Sequence, residues 1–261
     1  MSVLAPVRGR GPLAAANPVA KLGASAVIAL ALIASIDWVS AAVALLLELG
    51  LFAAVGLPWR TVLLRTAPVW AAAPLAGLTI LLYGRSSGTV YASWFVVVVS
   101  DGSIALAIAT VLRVLAIGLP AVVLFVTVDP TDLGDALAQV LRLPARFVLG
   151  ALAGVRLVGL FADDWRSLEL ARRARGLGDD GRIRRLAGQS FALLVLALRR
   201  GGRLATAMEA RGFGAPVRRT WARASRLGGI DWALLAAATV IGATAVAVSV
   251  GTGAWNFIAG G

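Results

Sequence analysis

Five stretches of this chain are apolar for long enough to be read as helices in contact with lipid, and the rest of the sequence has to fit around them. They cover roughly residues 22–36, 39–55, 69–83, 104–128 and 230–250. At about 1.5 Å per residue the first is short for a hydrocarbon core of roughly 30 Å, so it needs residues 18–20 or a tilt against a neighbour. A mean hydropathy of +0.87, with 59% of the 261 residues hydrophobic, leaves no room for a soluble domain of ordinary composition. The expected fold is an all-α polytopic membrane protein with about five transmembrane helices and a block of three further helices. The expected organisation is a short disordered tail at 1–17, a membrane domain of about four spans at 18–128, a helical block at 129–228, and a last span with the C-terminus at 229–261.

Charge sets the orientation. Residues 142–226 hold 18 of the 25 basic and 6 of the 13 acidic residues, and the remaining segments are neutral overall. By the positive-inside rule the basic block faces the cytoplasm, and with it the N-terminus. Residues 56–68, with Arg60 and Arg65, read as a cytoplasmic loop, while Arg85 falls on the far side. Residues 90–99 are apolar and β-branched but too short to span, which suggests a re-entrant or interfacial piece. Asp37-Trp38 and Asp231-Trp232 suit interfacial turns. Glu48 and Arg113 lie inside apolar runs, where each should face protein, and they are candidates to pair with one another. For Glu48, a hydrogen bond within the helix packing is a simpler role than an ion pathway.

The block after residue 128 opens with Asp129-Pro130-Thr131-Asp132, a helix start with a cap, a proline at the first position and an acid near the positive helix end. Helices are expected at about 130–142 and 145–175, and from about 183 to the end of a second motif. Gly201-Gly202 inside the last costs about 1 kcal/mol per glycine relative to Ala and marks a possible bend. Two of these helices end alike. Ala171 to Gly178 reads A-R-R-A-R-G-L-G and Ala207 to Gly214 reads A-M-E-A-R-G-F-G, 36 residues apart. A glycine after the last helical turn suits the left-handed position that closes a helix, and an Arg there complements the carbonyl end of the dipole. Two ordinary helix stops would look the same, but the repetition within one basic block points to Arg side chains presented to a partner.

Several functions are excluded by what is missing. There is no Cys and no His, so zinc sites of the usual kind, disulfides and Ser-His-Asp or Cys-His catalysis are absent. The only lysine is Lys21, so the phosphate-binding loop that ends in Gly-Lys is absent too. Asp163 and Asp164 are adjacent on a helix and point apart, which fits a solvated face better than an acid–base pair. No catalytic or metal-binding residues are expected.

The chain resembles the transmembrane T component of energy-coupling factor (ECF) transporters, ABC-type importers of vitamins and transition metals. The resemblance runs over essentially the whole sequence. It rests on Pro18 to Lys21 entering the first span, on Asp129, Pro130, Asp132, Leu133, Ala136 and Leu137 opening a helix, and above all on the two Ala-Arg-Gly endings. It implies that the three helices are coupling helices and that each Ala-Arg-Gly end docks on one of two cytoplasmic ABC-type ATPases. The docking residues would be Ala174, Arg175 and Gly176, then Ala210, Arg211 and Gly212, with Arg156 and Glu209 in support. Where the family carries Arg-Phe-x-Pro, this chain has Arg156-Leu157-Val158-Gly159, so the proline and its kink are absent. The resemblance further implies a separate small membrane subunit that binds the substrate, ATP and Mg on the ATPases with no cofactor on this chain, and a place in the cell membrane. Uptake of a vitamin or of a metal such as cobalt would be the outcome, with no nucleic acid involved. A different reading of the same basic block is a membrane-anchored polybasic module for anionic lipid or nucleic acid, since Lys and Arg near a surface contribute about 1 kcal/mol each to anionic-lipid binding.

Overall fold

The computed structural model describes residues 12–54, 59–84, 87–94, 97–176, 181–215 and 220–255. The chain divides into two units, one of Met1–Ala136 with Ser225–Gly261 and the other of Leu137–Ala224. The first contains α1 (Pro12–Ala15), α2 (Pro18–Ile33), α3 (Trp38–Ala54), α4 (Trp59–Tyr83), β1 (Val90–Trp94), β2 (Val97–Ser100), α5 (Asp101–Val126) and α9 (Gly229–Gly251). The second contains α7 (Ala145–Ala174) and α8 (Arg182–Ala210), while α6 (Pro130–Gln139) straddles the boundary.

By length and composition the segments 63–83, 101–125, 145–174 and 229–251 can cross a bilayer, and α2 and α3 are shorter apolar helices. The chain is thus an all-α polytopic membrane protein. The segment 145–174 is α7, which the sequence places among the cytoplasmic helices because its last turns are charged. Its apolar stretch is not buried within the chain.

The membrane unit is closed at one end by polar caps. Asn17 caps α2 by accepting from the Val19 N–H at 2.9 Å, and its own backbone N–H donates to Asp231 Oδ1 at 2.6 Å. Asp231 Oδ2 in turn accepts from the Gly228 N–H at 2.7 Å, so one carboxylate holds the starts of α2 and α9 together. Lys21 Nζ donates to Thr127 Oγ1 at 2.9 Å, which brings the end of α5 to the same place. Residues 12–17 are therefore not a disordered tail, because Leu13, Ala16 and Asn17 are buried against this unit.

Small residues let the helices approach closely, as is usual where lipid gives no hydrophobic drive to associate. Ala41, Ala44, Ala116 and Ala245 are fully buried, and Leu32 seals the cluster that the last three share with Ile28 and Ile241. α4 lies along α5, where a Cβ on Gly77 would sit 2.4 Å from Val111 Cγ2 and one on Gly118 would sit 2.6 Å from Val69 Cγ1.

One further expectation differs from the structure. α4 begins at Trp59, so Arg60 and Arg65 belong to its first turns rather than to a loop, and Pro68 and Pro74 lie inside it. A helix packed along a neighbour tolerates such prolines. The short apolar stretch is an antiparallel hairpin, with Ala92 opposite Val99 and Trp94 opposite Val97. Pairing with itself satisfies backbone groups that a span of this length could not. Ser100 then caps α5, exchanging hydrogen bonds with Ser103. Arg85, and most of the 178–181 turn, lie outside the described residues.

Candidate functional site

The two Arg-Gly endings share one local geometry. α7 closes at Arg175, whose N–H donates to the Arg172 carbonyl at 3.1 Å, followed by Gly176 at φ +71°. α8 closes at Arg211, followed by Gly212 at φ +76°. Here the Gly212 N–H donates to the Glu209 carbonyl and the Phe213 N–H to the Met208 carbonyl, both at 2.9 Å. That is the paired Schellman closure, in which the carbonyls left over at a helix end find donors. In the first copy the Gly176 N–H makes the equivalent bond to the Arg173 carbonyl at 3.0 Å, and residues 177 and 178 lie outside the described ones.

Glycine is needed at 176 and 212 for backbone reasons, since a left-handed residue with a Cβ costs roughly 1–2 kcal/mol. A Cβ at either position would meet nothing within 4 Å, so no crowding from this chain adds to the requirement. The same open space leaves the closing turn free for another chain to approach. Ala174, Arg175, Ala210 and Arg211 are exposed, as are Arg156 along α7 and the side chain of Glu209. An exposed guanidinium offers five fixed N–H donors to a carboxylate or to carbonyls at a partner's helix end.

α7 and α8 are tied together behind these ends. Arg200 grips Asp164 with two hydrogen bonds, Nη1 to Oδ2 at 2.5 Å and Nη2 to Oδ1 at 3.3 Å. Both side chains are partly exposed, at 38% and 21%, so the pair is worth no more than about 1 kcal/mol. Its neighbour Asp163 makes only a loose, exposed contact of 3.7 Å with Arg166 on its own helix. The sequence reading placed both carboxylates on a solvated face and missed the partner of Asp164, 36 residues away. α8 runs as one continuous helix through Gly201 and Gly202.

Within the membrane unit the polar residues sort differently from the expected pairing. Both oxygens of Glu48 lack a hydrogen-bond partner, and so do Nε and Nη2 of Arg113. The two are not joined by a hydrogen bond. Asp37 is the centre of a buried polar knot. It caps α3 through the Ser40 N–H at 2.6 Å, and it accepts from Ser40 Oγ at 2.8 Å, from Ser249 Oγ at 2.8 Å and from Ser35 Oγ. Ser249 lies at the far end of α9, so Asp37 fastens α2, α3 and α9 at one end as Asp231 fastens α2 and α9 at the other. The available sequence signal was the serine three residues after Asp37, the spacing of a helix cap.

These observations define an all-helical, multi-pass membrane protein that presents two matched Arg-Gly helix ends. Residues 9–221, about four fifths of the chain, match the CbiQ cobalt transport protein family, so the chain belongs to that family and is a transmembrane component of the ECF type. It is 29% identical over 158 residues to the energy-coupling factor transporter transmembrane protein EcfT of Limosilactobacillus fermentum. That similarity covers 55% of this chain and 59% of the relative's length.

Proposed function

We propose that this chain transmits ATP hydrolysis by two cytoplasmic ABC-type ATPases to a separate membrane subunit that binds the substrate, a vitamin or transition metal ion. The observation that carries the reading is the repeated helix end, with Ala174-Arg175-Gly176 and Ala210-Arg211-Gly212 closed in the same way and open to solvent. Two matched ends suit two matched partners, one ATPase for each. The name of the EcfT relative supports the transport role, and the basic block supports a cytoplasmic setting for the helix ends and the N-terminus. The role assigned to the chain is mechanical, with ATP and Mg held by the ATPases.

Arg175 and Arg211 are the residues on which docking should depend most. Truncating one partner of a buried interfacial charge pair costs about 2–5 kcal/mol. Reversing both charges with Arg175→Glu and Arg211→Glu should abolish substrate uptake in cells that carry the whole transporter, while the chain still accumulates in the membrane. Uptake at the wild-type rate in that double variant would contradict the proposal.

A further inference from the structure

The chain passes between its two units twice, and the two passages are built differently. On the way out it is helical, since α6 runs from Pro130 to Gln139 across the boundary that follows Ala136. A helix carries its own hydrogen-bond ladder. On the way back, from Ala224 to Ser225, the chain is irregular, and no helix or strand covers residues 220–228. A stretch without a ladder has to find other partners for its polar groups.

Side chains from three other places supply them. Gln139 Nε2, at the end of α6, donates to the Arg223 carbonyl at 2.8 Å. Asn17 Nδ2 donates to Ser225 Oγ at 2.9 Å and, more loosely, to the Arg226 carbonyl at 3.4 Å. Asp231, in the first turn of α9, accepts from the Gly228 N–H. Asn17 is the hub of this arrangement. Its Oδ1 caps α2, its backbone N–H reaches Asp231, and its Nδ2 holds the returning chain. The Val19 N–H fixes which end of the Asn17 amide is the oxygen, so the other end faces Ser225 as a donor. Asn17 is buried, which keeps water from taking over these bonds.

We propose that residues 223–228 are the linkage through which movement of α7 and α8 reaches α9 and α2, and that Asn17 is the positioning residue that keeps it taut. The inference rests on the coupling role proposed above. With Asn17 bonded, a displacement of the returning chain pulls on the starts of α2 and α9 together. With those bonds gone, the irregular stretch absorbs the displacement in its own backbone rotations, and the membrane unit stays still.

Asn17→Ser separates the two duties of the side chain. Serine caps a helix about as well as asparagine, but its shorter side chain does not reach Ser225. The chain has no cysteine, so Leu64→Cys on α4 and Ile230→Cys on α9, both at exposed positions, carry spin labels on the membrane unit alone. The distance between the labels is measured in the whole transporter in lipid vesicles, with and without ATP and Mg. In the otherwise unchanged chain ATP should shift it by about 2 Å, the usual size of a helix displacement. In Asn17→Ser the shift should be lost while ATP hydrolysis continues. A merely structural role would lower the unfolding temperature and leave the shift in place, and that result would overturn the proposal. Should Asn17→Ser not accumulate, Gln139→Ala decides, because it releases the other end of the linkage without touching α2; a full shift in that variant would overturn the proposal as well. No shift in the labelled chain without further changes would overturn the coupling role itself, and the linkage with it.

Discussion

The membrane unit and the α7–α8 unit treat their polar and apolar groups in opposite ways. In the first, Asn17, Lys21, Ser35, Asp37, Ser40 and Asp231 are buried and bonded to one another or to Thr127 and Ser249, while the apolar side chains left outside, such as Leu30 and Leu64, sit on helices that lipid surrounds. In the second, Arg200 and Asp164 form a half-exposed clasp, and large apolar side chains remain uncovered next to charges. Phe147 is 77% exposed and Ile183 85%, and only Val148 is buried along the whole of α7. Exposed apolar surface of this extent marks a face that lipid or another protein covers. One unit holds most of its buried polar groups by its own contacts, whereas the other leaves large apolar side chains and its charged helix ends uncovered.

The largest effect that would break this contrast is at Asp37. Replacing it with Ala leaves the Ser40 N–H and three buried hydroxyls without their acceptor, at about 1–3 kcal/mol for each orphaned group. Thermal unfolding in detergent should show a strong loss of stability, with Asp37→Asn recovering part of it. A variant as stable as wild type would mean that the knot does not hold the unit together. Next comes the α4–α5 seam, where Gly77→Leu or Gly118→Leu forces side chains into occupied space. Overpacking of this kind costs about 1–3 kcal/mol and should lower the unfolding temperature. The same change at Gly201 or Gly202 meets open space and should leave the unfolding temperature unchanged or slightly raised.

The smallest effect should come from the second unit. Asp164→Ala removes a half-exposed ion pair and should lower stability by no more than about 1 kcal/mol. High salt should shrink the difference, because exposed charges are screened. A loss as large as that at Asp37 would show that α7 and α8 depend on internal bonds as the membrane unit does.

Much of this was legible because local chemistry decides it. Arg-Gly after an alanine-rich run announces a left-handed helix end, and Gly176 and Gly212 take that conformation. Asp129-Pro130 announces a helix start, and α6 begins at Pro130, with the Thr131 N–H donating to Asp129 Oδ1 at 2.7 Å. What could not be read depends on depth and on distant partners. Two opposite charges in two apolar runs look like a pair, yet depth separates them. At about 1.5 Å per residue, Arg113 stands some 20 Å along α5 from the Thr127 end, level with Asp37 rather than with Glu48. The start of α4 was hidden because Arg60, Arg65 and Pro68 look like a loop until α5 is packed beside them. Arg200 and Asp164 carry no local sign that they will meet.

Docking of two ATPases on the two Arg-Gly ends, as proposed, is open to a direct test. The most direct measurement is to purify the tagged chain from its native membrane in mild detergent and identify by mass spectrometry what accompanies it, for wild type and for Arg175→Glu with Arg211→Glu. ABC-type ATPases and a small, very hydrophobic membrane protein should accompany wild type, and the ATPases should be lost from the double variant. A wild-type chain recovered alone, or ATPases retained undiminished by the variant, would contradict it.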